Sequence, residues 1–238
     1  MAENKKLALV GYGKMGHLVE QLANQHGFDV ALRLNSTGNS HGRAITHEAF
    51  AGIDIAIEFT TPEAAVDNLK HLAAIGVPTV CGSTGWFDRL GEISEAFQQT
   101  KTGLVYSPNF SVGVAVFQRL VAEAARLLKD QDGYGAWAWE IHHDTKKDAP
   151  SGTLLHLVET MRRQQYARPI DVSSSRAGRH PGTHEVGFDS AADTITLRHV
   201  ARSREGFAHG ALKAAQWIIG RSGVHPFEHV LFGDGAGS

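Results

Sequence analysis

The chain has 238 residues, 23 Lys and Arg against 25 Asp and Glu, and a formal charge of −2, with 42 % apolar residues. This length supports one large domain or two modest ones, and the near-neutral balance leaves no basic footprint for nucleic acid. The single cysteine, Cys81, excludes an internal disulfide and a Cys-rich zinc site. The segment from Met1 to Lys6 leads into an apolar run too short for a signal-peptide core or a membrane span, so the expectation is a soluble, cytoplasmic protein without membrane or nucleic-acid partners. The 14 histidines are scattered, and none forms a His-x-x-x-His pair with an acidic third ligand on a helix, so no metal is expected.

Leu7-Ala8-Leu9-Val10 is a continuous apolar run of the kind found in a buried parallel strand, and Gly11-Tyr12-Gly13-Lys14-Met15-Gly16 follows at once. Met15, Leu18, Val19 and Leu22 then recur at helical spacing. A Gly-x-Gly-x-x-Gly between strand and helix is a dinucleotide fingerprint: Gly11 for the tight turn, Gly13 for close approach of a pyrophosphate, Gly16 for helix–strand packing. The second strand, Phe28 to Leu34, ends in Asn35-Ser36-Thr37-Gly38-Asn39-Ser40 with no acid to hold a ribose 2′-hydroxyl. Neutral donors with Arg33 and Lys14 close in sequence suit a 2′-phosphate, so both NADPH and NADH are expected to bind, NADPH preferred.

A third strand, Asp54 to Phe59, precedes a helix through Ile75 with Thr60 or Thr61 as its cap; the next strand, Gly76 to Cys81, ends in Gly82-Ser83-Thr84-Gly85. A helix from Phe87 to Thr100, a strand from Gly103 to Tyr106 and a long helix from Ser111 to Lys129 follow. Regular alternation predicts an α/β fold, a parallel sheet wound on both faces with ligands at the carboxyl ends of its strands.

Tyr134 to Ile141 reads as a strand, and Leu154, Leu155, Leu157, Val158 and Met161 as a helix. Between them lie two imidazoles, two lysines, two aspartates and a Pro-Ser-Gly-Thr turn. Asp148 and Ser151 are candidate caps, and the amides of Ser151, Gly152 and Thr153 at a helix N-terminus suit a carboxylate. His142 and His143 would face opposite ways on a continued strand. Glu185–Phe188 and Thr194–Val200 then read as strands without intervening helices, an α+β second domain with a largely antiparallel sheet. A last helix runs through Ile219, and the tail from Gly233 to Ser238 is expected to be mobile.

Glu140, His142, His143, Lys146, Asp148, Ala149, Pro150, Ser151, Gly152 and Thr153 match E-x-H-H-x-x-K-x-D-A-P-S-G-T, and the segment resembles the signature of 4-hydroxy-tetrahydrodipicolinate (dihydrodipicolinate) reductases. Departures are Trp137-Ala138, where that family has an acidic residue and Ile or Val, and Leu154 for Ala. Pro108 to Val114, the Gly82–Gly85 loop with Ser83 for Thr, and Ser203 to Ala211 carry the family's other motifs, so the resemblance covers nearly the whole chain. It implies an N-terminal Rossmann-type dinucleotide-binding domain at 1–110 and 205–238, and a substrate and oligomerisation domain at 111–204, with the site between domains and a homotetramer assembled through the second-domain sheets.

The resemblance also implies residue roles: His142 as general acid with Lys146 assisting, and His143, Ser151, Gly152, Thr153 and Thr84 on a small dicarboxylate. On the cofactor it places Gly11, Tyr12, Gly13, Lys14, Met15, Gly16, Asn35, Ser36, Thr60, Gly82, Ser83, Thr84, Ser107, Pro108, Asn109, Phe110, Arg204 and Phe207. Two other classes remain: a non-catalytic NAD(P)H-sensing domain, which would not need the His142, Lys146, Ser151 constellation, and another small-dicarboxylate or amino-acid dehydrogenase.

Overall fold

The computed structural model describes residues 3–233; the expected mobile tail beyond Gly233 lies outside them. The chain divides into two compact units, Met1–Val112 with Glu205–Ser238, and Gly113–Arg204. Among the described residues no helix is long and apolar enough to cross a membrane.

The first unit runs β1 (Lys5–Val10), α1 (Lys14–Ala23), β2 (Phe28–Leu34), β3 (Ile55–Glu58), α2 (Pro62–Ala74), β4 (Thr79–Cys81), α3 (Leu90–Gln99) and β5 (Gly103–Tyr106). Helix α4 (Val112–Leu128) begins where the second unit takes over. The six strands of the first sheet lie in the order β10-β5-β4-β3-β1-β2 and pair in parallel throughout, β10 being Gly223–Pro226. All four residues of β3 are buried, which is why Ile55-Ala56-Ile57 reads as an unbroken apolar run. Every carboxyl end in such a sheet points the same way, so the loops after β1, β3, β4 and β5 gather along one edge.

In the second unit β6 (Gly135–His142), β7 (Ile170–Arg176), β8 (Thr183–Asp189) and β9 (Thr194–Val200) form a four-stranded sheet ordered β7-β6-β8-β9, covered by α4 and by α5 (Gly152–Arg163). β8 pairs antiparallel with β6 and β9, but β7 runs parallel to β6. β7 is an edge strand whose Asp171-Val172-Ser173-Ser174-Ser175 offers no apolar alternation, so the sequence reading passes over it. Helix α6 (Glu205–Ile218) then returns the chain to the first unit, where Ala208, Ala211, Leu212, Ala214, Ala215 and Ile218 are buried in its core. The short β10 and helix α7 (Phe227–Phe232), also unannounced by periodicity, complete that unit.

Candidate active site

The glycine turn after β1 has the geometry its residues dictate. Gly11 sits at φ 98°, and a Cβ there would lie 2.0 Å from the Phe59 carbonyl oxygen. A Cβ on Gly16 would come within 2.5 Å of the Gly11 carbonyl oxygen, so both positions are closed to side chains, whereas Gly13 faces open space. Beyond this turn a cavity of about 460 Å³ is lined by Gly11, Tyr12, Gly13, Asn35, Ser36, Phe59 and Thr60 among others. It brings together the expected residues at the ends of β1, β2 and β3. Lys14 is exposed beside it, and the Met15 side chain packs toward the core, leaving its backbone at the turn.

The other expected cofactor residues are not on the walls of this cavity. Ser83 is buried, and its hydroxyl accepts from the Thr60 amide at 2.7 Å, joining the loops after β3 and β4; Gly82 is tight against Phe59 and Thr84 is exposed. Ser107 and Asn109 close a hydrogen-bonded turn in which the Ser107 hydroxyl accepts from the Asn109 amide at 3.1 Å, with Pro108 exposed. The Phe110 ring is in the core beside Phe227. Phe207 is half-buried on α6, and exposed Arg204 is the last residue of the second unit.

Arg33 does not stand free for a phosphate. Its guanidinium is taken by Glu20, with Nε 2.7 Å from the carboxylate, and the Tyr12 hydroxyl donates to the same group. The cation expected to serve a 2′-phosphate is thus neutralised by an acid on α1 that strand periodicity does not reveal.

In the second unit β6 puts Glu140 and His142 on one face, two residues apart, and both are buried. His143 falls just past the strand, half-buried, with Nδ1 2.7 Å from the Thr145 hydroxyl. Glu140 is the hub. Its carboxylate accepts from the Ser151 amide at 2.7 Å, from the Ser151 hydroxyl, from Ser174 at 3.1 Å and from Arg176 at 3.0 Å. His142 Nδ1 and His184 Nε2 each lie 3.3 Å from Oε2. Burial raises the Glu140 pKa, but hydrogen bonds from His184, Ser151 and Arg176 outweigh it and hold the carboxyl below its ordinary value. His142 Nδ1 is close to this carboxylate without an aligned hydrogen bond among the described residues. Burial lowers the His142 pKa to about 4, with Glu140 opposing and His184, Lys146 and Arg176 adding to the fall. Gly182, at φ 141°, passes so close that a Cβ there would lie 2.9 Å from His142 Nε2.

Ser151 caps α5, its hydroxyl accepting from the Leu154 amide at 3.2 Å. Since its own amide goes to Glu140 and the Gly152 amide is turned toward the Asp148 carboxylate, the turn's donor toward a ligand is Thr153, which is half-buried. Lys146 Nζ is held by both oxygens of Asp148, at 2.7 and 2.8 Å, and Lys146 first and then the amides of Asp148 and Gly152 lower the Asp148 pKa. Arg176 also donates to the Asp148 carbonyl, pinning the signature loop to β7.

Arg176 and His184 escape a linear reading because they reach Glu140 only through strand pairing: His184 is opposite Glu140 on β8, and Arg176 is level with His142 on β7. Glu140, His142 and His184 have donor atoms within 4.8 Å of one another, the spacing of a metal triad. The Arg176 guanidinium and two Ser151 donors on the same carboxylate make the cluster a hydrogen-bonded network instead.

A parallel sheet with a glycine turn after β1 in the first unit, and a buried Glu140–His142–His184 cluster joined by half-buried Arg176 in the second, are the parts of a nicotinamide-dinucleotide oxidoreductase. Residues 5–110 match the family model "Dihydrodipicolinate reductase, N-terminus" and residues 113–231 match "Dihydrodipicolinate reductase, C-terminus". A 4-hydroxy-tetrahydrodipicolinate reductase of Christiangramia forsetii is 31 % identical over 236 residues, 94 % of this chain and 97 % of its own. One from Archaeoglobus fulgidus is 36 % identical over 256 residues, covering 92 % and 96 %. A dipicolinate-bound dihydrodipicolinate reductase from Paenisporosarcina sp. TG-14 has the same fold, with TM-score 0.79 over 94 % of this chain and 97 % of its own at 20 % identity. The chain belongs to the dihydrodipicolinate reductase family.

Proposed function

We propose that the chain reduces 4-hydroxy-tetrahydrodipicolinate to tetrahydrodipicolinate with NADPH or NADH, in lysine and diaminopimelate biosynthesis, with the glycine-turn cavity holding the cofactor and the Glu140–His142 cluster with Lys146 and the start of α5 handling the substrate. The observation that carries it is that cluster: a buried, ionised Glu140 beside His142, next to a lysine and the amides of a helix N-terminus. When bound, the cofactor supplies a hydride. In this reading the Thr153 amide, joined by that of Gly152 once it leaves Asp148, takes one substrate carboxylate with the α5 dipole behind it, while His143 and Lys146 supply positive potential. The substrate loses water and takes the hydride at carbon, and His142 delivers the proton that completes reduction. A sensing domain would have no use for the Glu140 network. The test is NADPH absorbance with freshly generated hydroxy-tetrahydrodipicolinate; no oxidation above a cofactor-only control overturns the proposal.

Pyridine-2,6-dicarboxylate, named as bound by the Paenisporosarcina protein, is expected to inhibit competitively against substrate. Its carboxylate needs the helix amides and lysine, not the reactive ring. Changing Thr153 and Lys146 together is expected to weaken its binding about tenfold or more, as loss of charge-assisted hydrogen bonds does. Calorimetry showing unchanged affinity in that double variant places the carboxylate elsewhere.

Both cofactors are expected to work, NADPH better, because β2 is followed by Asn35 and Ser36, where no carboxylate stands to repel a 2′-phosphate. With Arg33 held by Glu20, the preference rests on neutral donors and Lys14, so it is expected to be modest. Asn35→Asp should shift kcat/KM toward NADH, mainly by harming NADPH. A wild-type preference for NADH of tenfold, about 1.4 kcal/mol, would contradict this reading.

The proposal includes a soluble cytoplasmic homotetramer joined through second-unit sheets. In support, Trp137, Trp139 and Ile141 alternate with the buried residues of β6 and are only half-buried in the single chain.

A further inference from the structure

We propose that Asn68 is a positioning residue for the dinucleotide, its buried carboxamide fastening the loop after β2 to the end of β3 so that the two parts of the cavity keep one spacing. The inference rests on the cofactor reading above. Asn68 is on α2 and 1 % exposed. Its Nδ2 donates to Glu58 Oε1 and to the Thr60 hydroxyl, both at 3.3 Å, and its Oδ1 accepts from Asn39 Nδ2 at 2.9 Å. Asn39 in turn accepts the Ala44 amide at 3.1 Å, while its own amide donates to the Asn35 carbonyl at 3.0 Å. At the other end Thr60 donates to Glu58 through its hydroxyl and to Ser83 through its amide at 2.7 Å, and the Cys81 thiol donates to Glu58 at 3.2 Å. A polar chain thus runs Asn35, Asn39, Asn68, Glu58 with Thr60, then Ser83. It connects Asn35, read above as facing the ribose 2′-position, with Thr60 and Ser83, which the family resemblance places on the same cofactor.

Buried polar groups of this kind persist only when each is satisfied by the next. Asn68 is where one side chain must donate twice and accept once, which a carboxamide does and a carboxylate or hydroxyl does not. Burial first of all, against hydrogen bonds from Thr60, Ser83, Cys81 and Asn68, pushes the Glu58 pKa up, so a carboxylate at position 68 would meet a second buried acid. Neither Asn68 nor Asn39 has a group for the transfer chemistry; their part is to fix where the loops stand.

The test is a split between cofactor KM and turnover in Asn68→Ala, with Asn39→Ser cutting the same link from the exposed loop if Asn68→Ala folds poorly. Wild-type binding of NADPH is measured first by fluorescence titration, since its absence would sink the cofactor reading and not this inference alone. Given wild-type binding, either variant is expected to raise KM for NADPH about tenfold, the scale of one lost buried hydrogen bond, with kcat and the dicarboxylate KM within about twofold. The double variant should be no worse than the poorer single one, because both cut one chain. Unchanged cofactor KM overturns the proposal, whether or not the melting temperature falls; so does a loss confined to kcat.

Discussion

His142→Gln and Lys146→Ala are each expected to lower kcat by about 10²-fold or more, the usual cost of removing a positioned proton donor, while NADPH affinity stays where it was. NADPH affinity is expected to hold because the glycine turn, Asn35, Ser36 and Thr60 belong to the other unit. Near-normal turnover in either variant strips that residue of its role. The structure adds a pH dependence. In the free protein burial lowers His142 to about 4, so at neutral pH the ring is uncharged. A bound dianion favours the imidazolium and raises that pKa, so dicarboxylate binding takes up a proton and its affinity falls as pH rises between the free and bound values. Calorimetry of pyridine-2,6-dicarboxylate in buffers of different ionisation enthalpy reads that uptake directly. His142→Gln should abolish it, and proton uptake that persists there assigns the proton to another group.

Replacing Glu140 by Leu is expected to remove about 3–5 kcal/mol of stability, the cost of leaving the partners of a buried ion pair without it. Arg176, His184 and the Ser151 amide would all lose their acceptor inside the fold. At this chain length that is a fall in melting temperature of about 6–20 °C, and an unshifted scan would show the network to be dispensable. The pH sign follows from the direction of the shift. Glu140 is held below its unfolded value, so its stabilisation is present above the mid-4 range and is lost as pH falls through the folded value. Glu140→Gln should flatten that acid limb of the stability curve.

Much of the first unit was legible because its signals are local. An apolar run, a spaced glycine triplet and a helical stripe fall within the stretch from Lys5 to Ala23 that becomes β1, its turn and α1. The signature loop was equally plain, since Lys146, Asp148 and Ser151 are near neighbours. What stayed hidden depends on partners far along the chain. Glu140 matched a motif, but its role appears only when β8 brings His184 and β7 brings Arg176, and β7 itself is a serine-rich edge without periodicity. The pairing of Arg33 with Glu20 was hidden for the same reason: α1 and β2 meet only in the folded sheet. Asn39 and Asn68 read as ordinary loop and helix residues until burial shows them joined.

The near approach of Gly182 to His142 makes room for the proposed proton donor a matter of one absent methyl group. At φ 141° an L-residue would be strained, and its first carbon would stand 2.9 Å from Nε2. Any side chain at position 182 would therefore act as a plug built into the protein, shutting the imidazole's outer nitrogen before a ligand arrived. In the proposed reaction, the reach of His142 toward the substrate is set as much by what β8 leaves out at its threshold as by what β6 contributes.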